Sequence, residues 1–118
     1  MTDCPFCAIV AGTAPARVVY HYLDAWVIEP LNPVVEGHLL VISCMHADDF
    51  TTDRRLTGRV MRHASVEANV RGGDWNLITS KGAAATQSVG HFHVHLVPRR
   101  EGDQLKLPWT DQQREATS

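Results

Sequence analysis

Residues 91–100 read HFHVHLVPRR, with His91, His93 and His95 at every second position and Phe92, Val94 and Leu96 between them. A period of two belongs to a β-strand, whose side chains alternate between faces. The spacing therefore predicts three imidazoles on one face and an apolar set in the core. Same-face neighbours along a strand lie about 6.5 to 7 Å apart, too far for adjacent rings to hydrogen-bond but suited to successive groups of an extended ligand. Three readings fit such a row. The histidines can be merely tolerated on an exposed face. They can ligate a metal, since His-x-His is a common ligand spacing. Or one neutral imidazole, a good nucleophile near its ordinary pKa of about 6.5, can attack phosphorus while the others bind or protonate phosphoryl oxygens.

Transfer at phosphorus also needs donors for charged oxygens. Gln87 and Ser88 stand just upstream, approached through Gly82, Ala83, Ala84 and Ala85. Small residues let backbone N–H groups come close to an anion. A second group of chemically capable residues opens the chain. Cys4 and Cys7 form a Cys-x-x-Cys pair, the spacing of a redox couple or of half a zinc site. No strand precedes Cys4, as a thioredoxin-type motif would require. A tetrahedral zinc site needs two further ligands, and His46 and His91 are the candidates. That division leaves His93 and His95 free for chemistry. Cys44 is a rival ligand or a small buried residue.

These residues must be held by a fold. The chain has 118 residues, 44% hydrophobic and 20% charged, which suits one domain with one core. Pro5 to Val10, closed by Gly12, reads as a short helix. Val18–Tyr22 and Trp26–Glu29 read as a hairpin turning at Leu23 and Asp24. Residues 31–37 form a loop, and 38–43 (HLLVIS) a buried strand. Residues 52–70 carry an apolar stripe of Leu56, Val60, Ala64 and Val70 and form the main helix, ended by Gly72 and Gly73. Arg54, Arg55, Arg59 and Arg62 read as its solvated face. Trp75–Ser80 and His91–Val97 complete five strands. The order β-β-β-α-β-β predicts an α+β fold with an antiparallel sheet. One helix covers such a sheet poorly, so a homodimer is expected.

A net charge of −2 leaves no electrostatic footprint for duplex nucleic acid. The segment MTDCPFCAIVAG lacks the basic and apolar regions of a signal peptide. No run reaches the ~18 apolar residues of a membrane span. The expected setting is cytoplasmic, without a membrane partner, where cysteines act as thiols or metal ligands.

Together, CPFCAIVAG, LNPVVEGHLLVIS and TQSVGHFHVHLVPR resemble the histidine-triad (HIT) family, whose signature is His-x-His-x-His followed by apolar residues. The resemblance spans nearly the whole chain and points to the zinc-containing bacterial-type branch. It implies a HIT domain over 1–102 followed by a C-terminal tail, 103–118. It further implies a nucleotide hydrolase or nucleotidyl transferase with His93 as the nucleophile, forming a covalent nucleotidyl-histidine. His95 would contact the α-phosphate, and His38 would belong to the same hydrogen-bond network. Asn32 would hold the ribose hydroxyls, Gln87 and Ser88 the phosphate and leaving group, and Ser80 would stand at a nucleotide-binding position. Cys4, Cys7, His46 and His91 match the four ligands of a structural zinc ion. The implied partner is a purine nucleotide or nucleotide conjugate, and the implied assembly a homodimer with a continuous sheet. Ser80 stands where the family usually has Asn, Thr86 where it has Gly, and Pro30 near the ribose position. These departures bear on substrate preference. A nucleotide-binding regulatory module with little turnover, and a hydrolase with metal on His91, His93 and His95, are the competing functions.

Overall fold

The computed structural model describes residues 4–111. The elements run α1 (Pro5–Ala11), β1 (Val18–His21), β2 (Ala25–Ile28), β3 (Leu39–Ser43), α2 (Arg54–Arg71), β4 (Asp74–Ile78) and β5 (His93–Arg99), with a single 3-10 turn at Ala83–Ala85. The five strands form one sheet in the order β1-β2-β3-β5-β4, and every neighbouring pair is antiparallel. This is the expected α+β architecture with one long and one short helix.

Register decides which face each side chain meets. Val27 pairs with Val41, and Val41 with Val94, placing these residues on one face. There α2 lays Leu56, Val60 and Ala64 over them to form the main core. The helix begins where the Asp53 carboxylate accepts the Arg55 and Leu56 amides, the usual N-cap arrangement. It ends at Gly72, whose backbone φ of 72° is left-handed. Val70, expected on the apolar stripe, is instead 77% exposed. Steps of four from Leu56 keep one face, whereas Val70 lies two residues beyond Ala68, about 200° round the helix.

On the opposite face Trp26 pairs with Ile42 and Ile42 with His93, while Ile28 pairs with Leu40 and Leu40 with His95. The imidazoles therefore share a face with apolar residues. That face is covered by α1, whose Phe6 joins Ile28, Leu40 and Ile42 in a second core. Trp26 packs there too, with His21 stacked on it at 4.3 Å. The α1 helix starts with Pro at its first position and stops at Gly12, φ 82°, because only glycine enters that region cheaply.

Strand β5 begins later and runs further than expected, through Pro98 to Arg99. Its pairing with β3 ends at Leu96, and Pro98 is paired only with Trp75 of β4. The missing N–H of proline thus falls where β3 no longer needs a donor. His63 is a tie between α2 and the hairpin. Its Nε2 bonds Asp24, its ring stacks on Tyr22 at 4.0 Å, and the Tyr22 hydroxyl donates to Glu67. No helix among the described residues is long and apolar enough to cross a membrane.

Candidate active site and metal centre

The three histidines of the triad do three different things. His91 precedes β5, is fully buried, and turns its Nδ1 to the two thiols, 3.2 Å from Cys4 Sγ and 3.5 Å from Cys7 Sγ. Its Nε2–H donates to the Ser43 carbonyl at 2.7 Å. His46 Nδ1 lies 3.3 Å from Cys7 Sγ, with its Nε2 on Asp48 at 3.2 Å. The four ligating atoms all fall within 4.8 Å of one another. Tetrahedral zinc with two sulfur and two nitrogen ligands sets S···N separations of about 3.5 Å, from its bond lengths of ~2.3 and ~2.0 Å. Both rings direct an unprotonated nitrogen inward and donate the other outward, as metal-bound histidines do. The donor set fits zinc, and four protein ligands leave no open position. Cys44 is not part of the group. Burial works against ionisation of the Cys4 thiol, but hydrogen bonds led by the Cys7 amide outweigh it and hold the thiol below its ordinary value.

His93 is 7% exposed, and its ring forms a T-shaped pair with Phe6, centroids 5.0 Å apart. Its Nδ1–H donates to the His91 carbonyl at 2.7 Å. A carbonyl only accepts, so the proton sits on Nδ1 and the lone pair on Nε2. Among the described residues Nε2 makes no hydrogen bond. Burial holds the imidazole below its usual range and keeps it neutral.

The tautomers of His38 and His95 follow in the same way. The Val34 amide donates to His38 Nδ1 at 3.1 Å, which places the His38 proton on Nε2. That nitrogen lies 3.0 Å from His95 Nδ1 and donates to it. His95 therefore carries its own proton on Nε2, facing outward as a donor. The rings of His93 and His95 are 5.2 Å apart, one offering a lone pair and the other an N–H. Burial first, then the neighbouring His93 and His38, pushes His95 down to about 4.

This has a consequence for stability. The unfolded chain takes up a proton on this residue near pH 6.5, while the folded chain resists until about 4. The neutral ring's contribution is whole above pH 6.5 and is lost as pH falls through that window. Thermal midpoints measured between pH 7 and pH 4 are expected to fall, with a shallower slope in His95→Gln.

The loop before the triad is tied down by Gln87. Its Oε1 accepts from the Gly82 amide, and its Nε2 donates to the Asp48 and Val89 carbonyls. The side-chain amide thus positions the loop, and contact with a leaving group would require it to give up one of these bonds. Ser88 is exposed and Ser80 half-buried. Ser80 shares a cavity wall with His38 and His95, and Asn32 lies exposed in the loop between β2 and β3. Thr86 adopts φ 64°, ψ 33°, the left-handed backbone natural to glycine. The conformation costs an L-residue about 1–2 kcal/mol, against about 0.5–1 kcal/mol for glycine's extra chain entropy. Thr86→Gly is expected to raise the unfolding free energy, measured by denaturant titration, by the difference, roughly 0.5–1 kcal/mol.

Sequence reasoning missed Ser43 and Asp48, which orient the two candidate histidine ligands. A lone serine closing the apolar run LLVIS and an acid two residues after His46 were the available signals.

An α+β sheet whose His-x-His-x-His strand lies beside a Cys2His2 group defines a histidine-triad protein. The HIT domain model matches residues 11–102, and the chain belongs to that family. It is 33% identical over 105 residues to a HIT-like protein of Methanocaldococcus jannaschii, covering 85% of this chain and 81% of that one. It is 31% identical over 109 residues to adenylylsulfatase HINT3 of Arabidopsis thaliana, covering 87% of this chain and 55% of that one. Among solved structures, a HIT family hydrolase from Clostridium thermocellum matches with a TM-score of 0.78 at 25% identity, covering 91% and 99% of the two chains. A zinc-bound histidine triad family protein from Mycobacterium smegmatis matches at 0.74 with 32% identity, covering 98% of each.

Proposed function

We propose that this chain is a nucleotide hydrolase or nucleotidyl transferase acting at the α-phosphorus of nucleoside phosphoramidates or dinucleoside polyphosphates. The observation that carries the reading is the tautomer order of the site. A free lone pair on His93 Nε2 stands beside a fixed donor on His95 Nε2. His93 attacks, and a P–N bond forms as the bond to the departing group breaks. The departing group takes the electron pair and acquires a proton from water at the open side of the site. The attacking ring becomes cationic, so its Nδ1–H bond to the His91 carbonyl strengthens as the reaction proceeds. His95 Nε2–H holds a phosphoryl oxygen, with Ser88 and loop amides as further donors. Water then attacks phosphorus, the P–N bond breaks, and a nucleoside monophosphate leaves.

The resemblance directs a purine nucleoside toward Asn32. Zinc on Cys4, Cys7, His46 and His91 would be structural. The edge strand β4 exposes Leu77 and Ile78, and it is there that a second copy would extend the sheet in a homodimer. A metal bridging all three triad histidines is disfavoured, because the His91 ring faces the cysteines and the His93 Nδ1 is committed to a carbonyl.

The test is to incubate the zinc-loaded protein with adenosine 5′-phosphoramidate and dinucleoside polyphosphates and follow AMP. Steady multiple-turnover release is expected. Tight nucleotide binding without release would replace this reading with a nucleotide-binding module.

A further inference from the structure

His93 is the first residue of β5, and the sheet is incomplete beside it. A strand residue in an antiparallel ladder turns its N–H and C=O to the same neighbour, and successive residues alternate. The Phe92 amide donates to the Ala47 carbonyl at 2.7 Å, and the Phe92 carbonyl accepts the Ser43 amide at 3.3 Å. Phe92 is thus tied on the β3 side, and His93 turns its carbonyl the other way, toward β4. The last rung there joins Ile78 to His95. The next would join Ser80 to His93, but β4 ends at Ile78. A side chain supplies the missing donor. The Thr79 hydroxyl donates to the His93 carbonyl at 2.7 Å, the usual length of a strong hydroxyl bond. The chain enters β5 through Gly90, the least restrained residue type, so this free end of the strand depends on such ties. The His91 carbonyl orients the His93 ring, but it belongs to the same stretch of chain. Thr79 reaches across to that stretch from another element.

We propose that Thr79 is a positioning residue, whose hydroxyl pins the backbone of His93 to the root of the phosphate loop so that the attacking nitrogen and the anion donors are held as one unit. The inference rests on the reaction proposed above. Thr79 opens the segment 79–88, which carries Ser80, the Gly82 amide and Ser88. Gln87 closes that segment through the Asp48 and Val89 carbonyls. The loop is therefore fixed at its far end to the chain after β3 and at its near end to His93 itself. Thr79 is half-buried and acts only through His93. In the attack, the P–N bond to His93 Nε2 forms as the bond from phosphorus to the departing group breaks, and that group leaves with the electron pair and takes a proton from water. Such a step is sensitive to placement, and an error of about 1 Å costs about 10²-fold in rate. Valine has the shape of threonine without the hydroxyl, so the bond can be removed while the packing is kept.

The test compares Thr79→Val, which removes the donor, with Thr79→Ser, which keeps it. Turnover of adenosine 5′-phosphoramidate is measured well below the Tm of each variant, and rapid acid quenching gives the rate at which the nucleotidyl adduct forms. Thr79→Val is expected to lower kcat and adduct formation about tenfold or more while KM stays within about threefold, and Thr79→Ser to return kcat to within about threefold of wild type. NMR spectra of the histidine rings provide a readout independent of turnover. The His93 signals should shift or broaden in Thr79→Val, and those of His21, on the far hairpin, should not. If Thr79→Val fails to fold, Thr79→Cys, of similar size and with a weaker donor, should give a kcat between those of wild type and a tenfold loss. Wild-type kcat in folded Thr79→Val or Thr79→Cys, a loss in Thr79→Ser as large as in Thr79→Val, a loss confined to KM, or unmoved His93 signals overturns the inference and leaves the reaction standing. Absence of AMP release from the wild-type protein overturns both.

Discussion

His93→Ala is expected to lower nucleotide-conjugate turnover at least about a thousandfold, since loss of a covalent nucleophile removes the reaction path itself. Substrate affinity should change far less, because His95, the loop amides and Ser88 remain. The substitution also leaves the buried His91 carbonyl without its donor, a loss of about 1–3 kcal/mol. Unfolding must therefore be measured beside activity. His93→Gly leaves a space the size of the missing ring, and added imidazole should restore part of the turnover in that variant. Acid quenching of wild type during turnover should trap a nucleotidyl group on the peptide containing His93. Undiminished turnover in His93→Ala, or an adduct found only elsewhere, would remove His93 from its role.

The division of labour among the triad was only partly legible in the sequence. Alternation placed His91, His93 and His95 on one side, and the Cys-x-x-Cys pair marked His91 as a candidate metal ligand. The sequence alone could not give the proton positions. Those depend on the Val34 amide meeting His38 Nδ1 and on the His91 carbonyl meeting His93 Nδ1, contacts between a loop, a strand and its own preceding residue. Burial of the triad face was equally hidden. The apolar alternation of Phe92, Val94 and Leu96 reveals one core, but the second arises because β2 and β3 place Trp26, Ile28, Leu40 and Ile42 beside the imidazoles and α1 closes over them. The strand HLLVIS showed this in outline, since a continuous apolar run is buried on both faces.

Element types were readable because their signals are local: Gly12 and Gly72 as stops and β-branched runs for β1 to β3. Boundaries were less so. The sequence reading ended β5 at Val97, yet the strand continues through Pro98 because its neighbour β3 has already ended. Ordering of the chain at Leu105 by Arg99 and Asp103 was invisible to periodicity, since the segment is neither helix nor strand and depends on one guanidinium satisfying four acceptor atoms. Trp109 is 48% exposed. Residues 112–118 of the tail lie outside the described residues.

The second large effect concerns the metal centre, and it couples stability to catalysis. Cys4→Ser is expected to lose stoichiometric zinc and, with it, about 3 kcal/mol, or roughly 10 °C in Tm for a chain of this size. The loss follows from what the four residues join. Cys4 caps α1 through the Cys7 amide, His46 lies in the segment after β3, and His91 leads into β5. Without the metal, the α1 cover over the triad is held only by Phe6 and its apolar neighbours. The catalytic consequence runs through one residue. The ring of His91 is held at the cysteines while its carbonyl holds His93 Nδ1–H, so freeing the ring loosens the acceptor that orients the proposed nucleophile. Well below the lowered Tm, kcat is therefore expected to fall about tenfold or more, with KM changed little, as misplacement of a reacting group predicts. Chelation of wild type should reproduce the effect, and added zinc should reverse it. A fully folded, zinc-free Cys4→Ser protein with wild-type kcat would show that the centre only braces the fold, and zinc retained at one per chain would remove Cys4 from the ligand set.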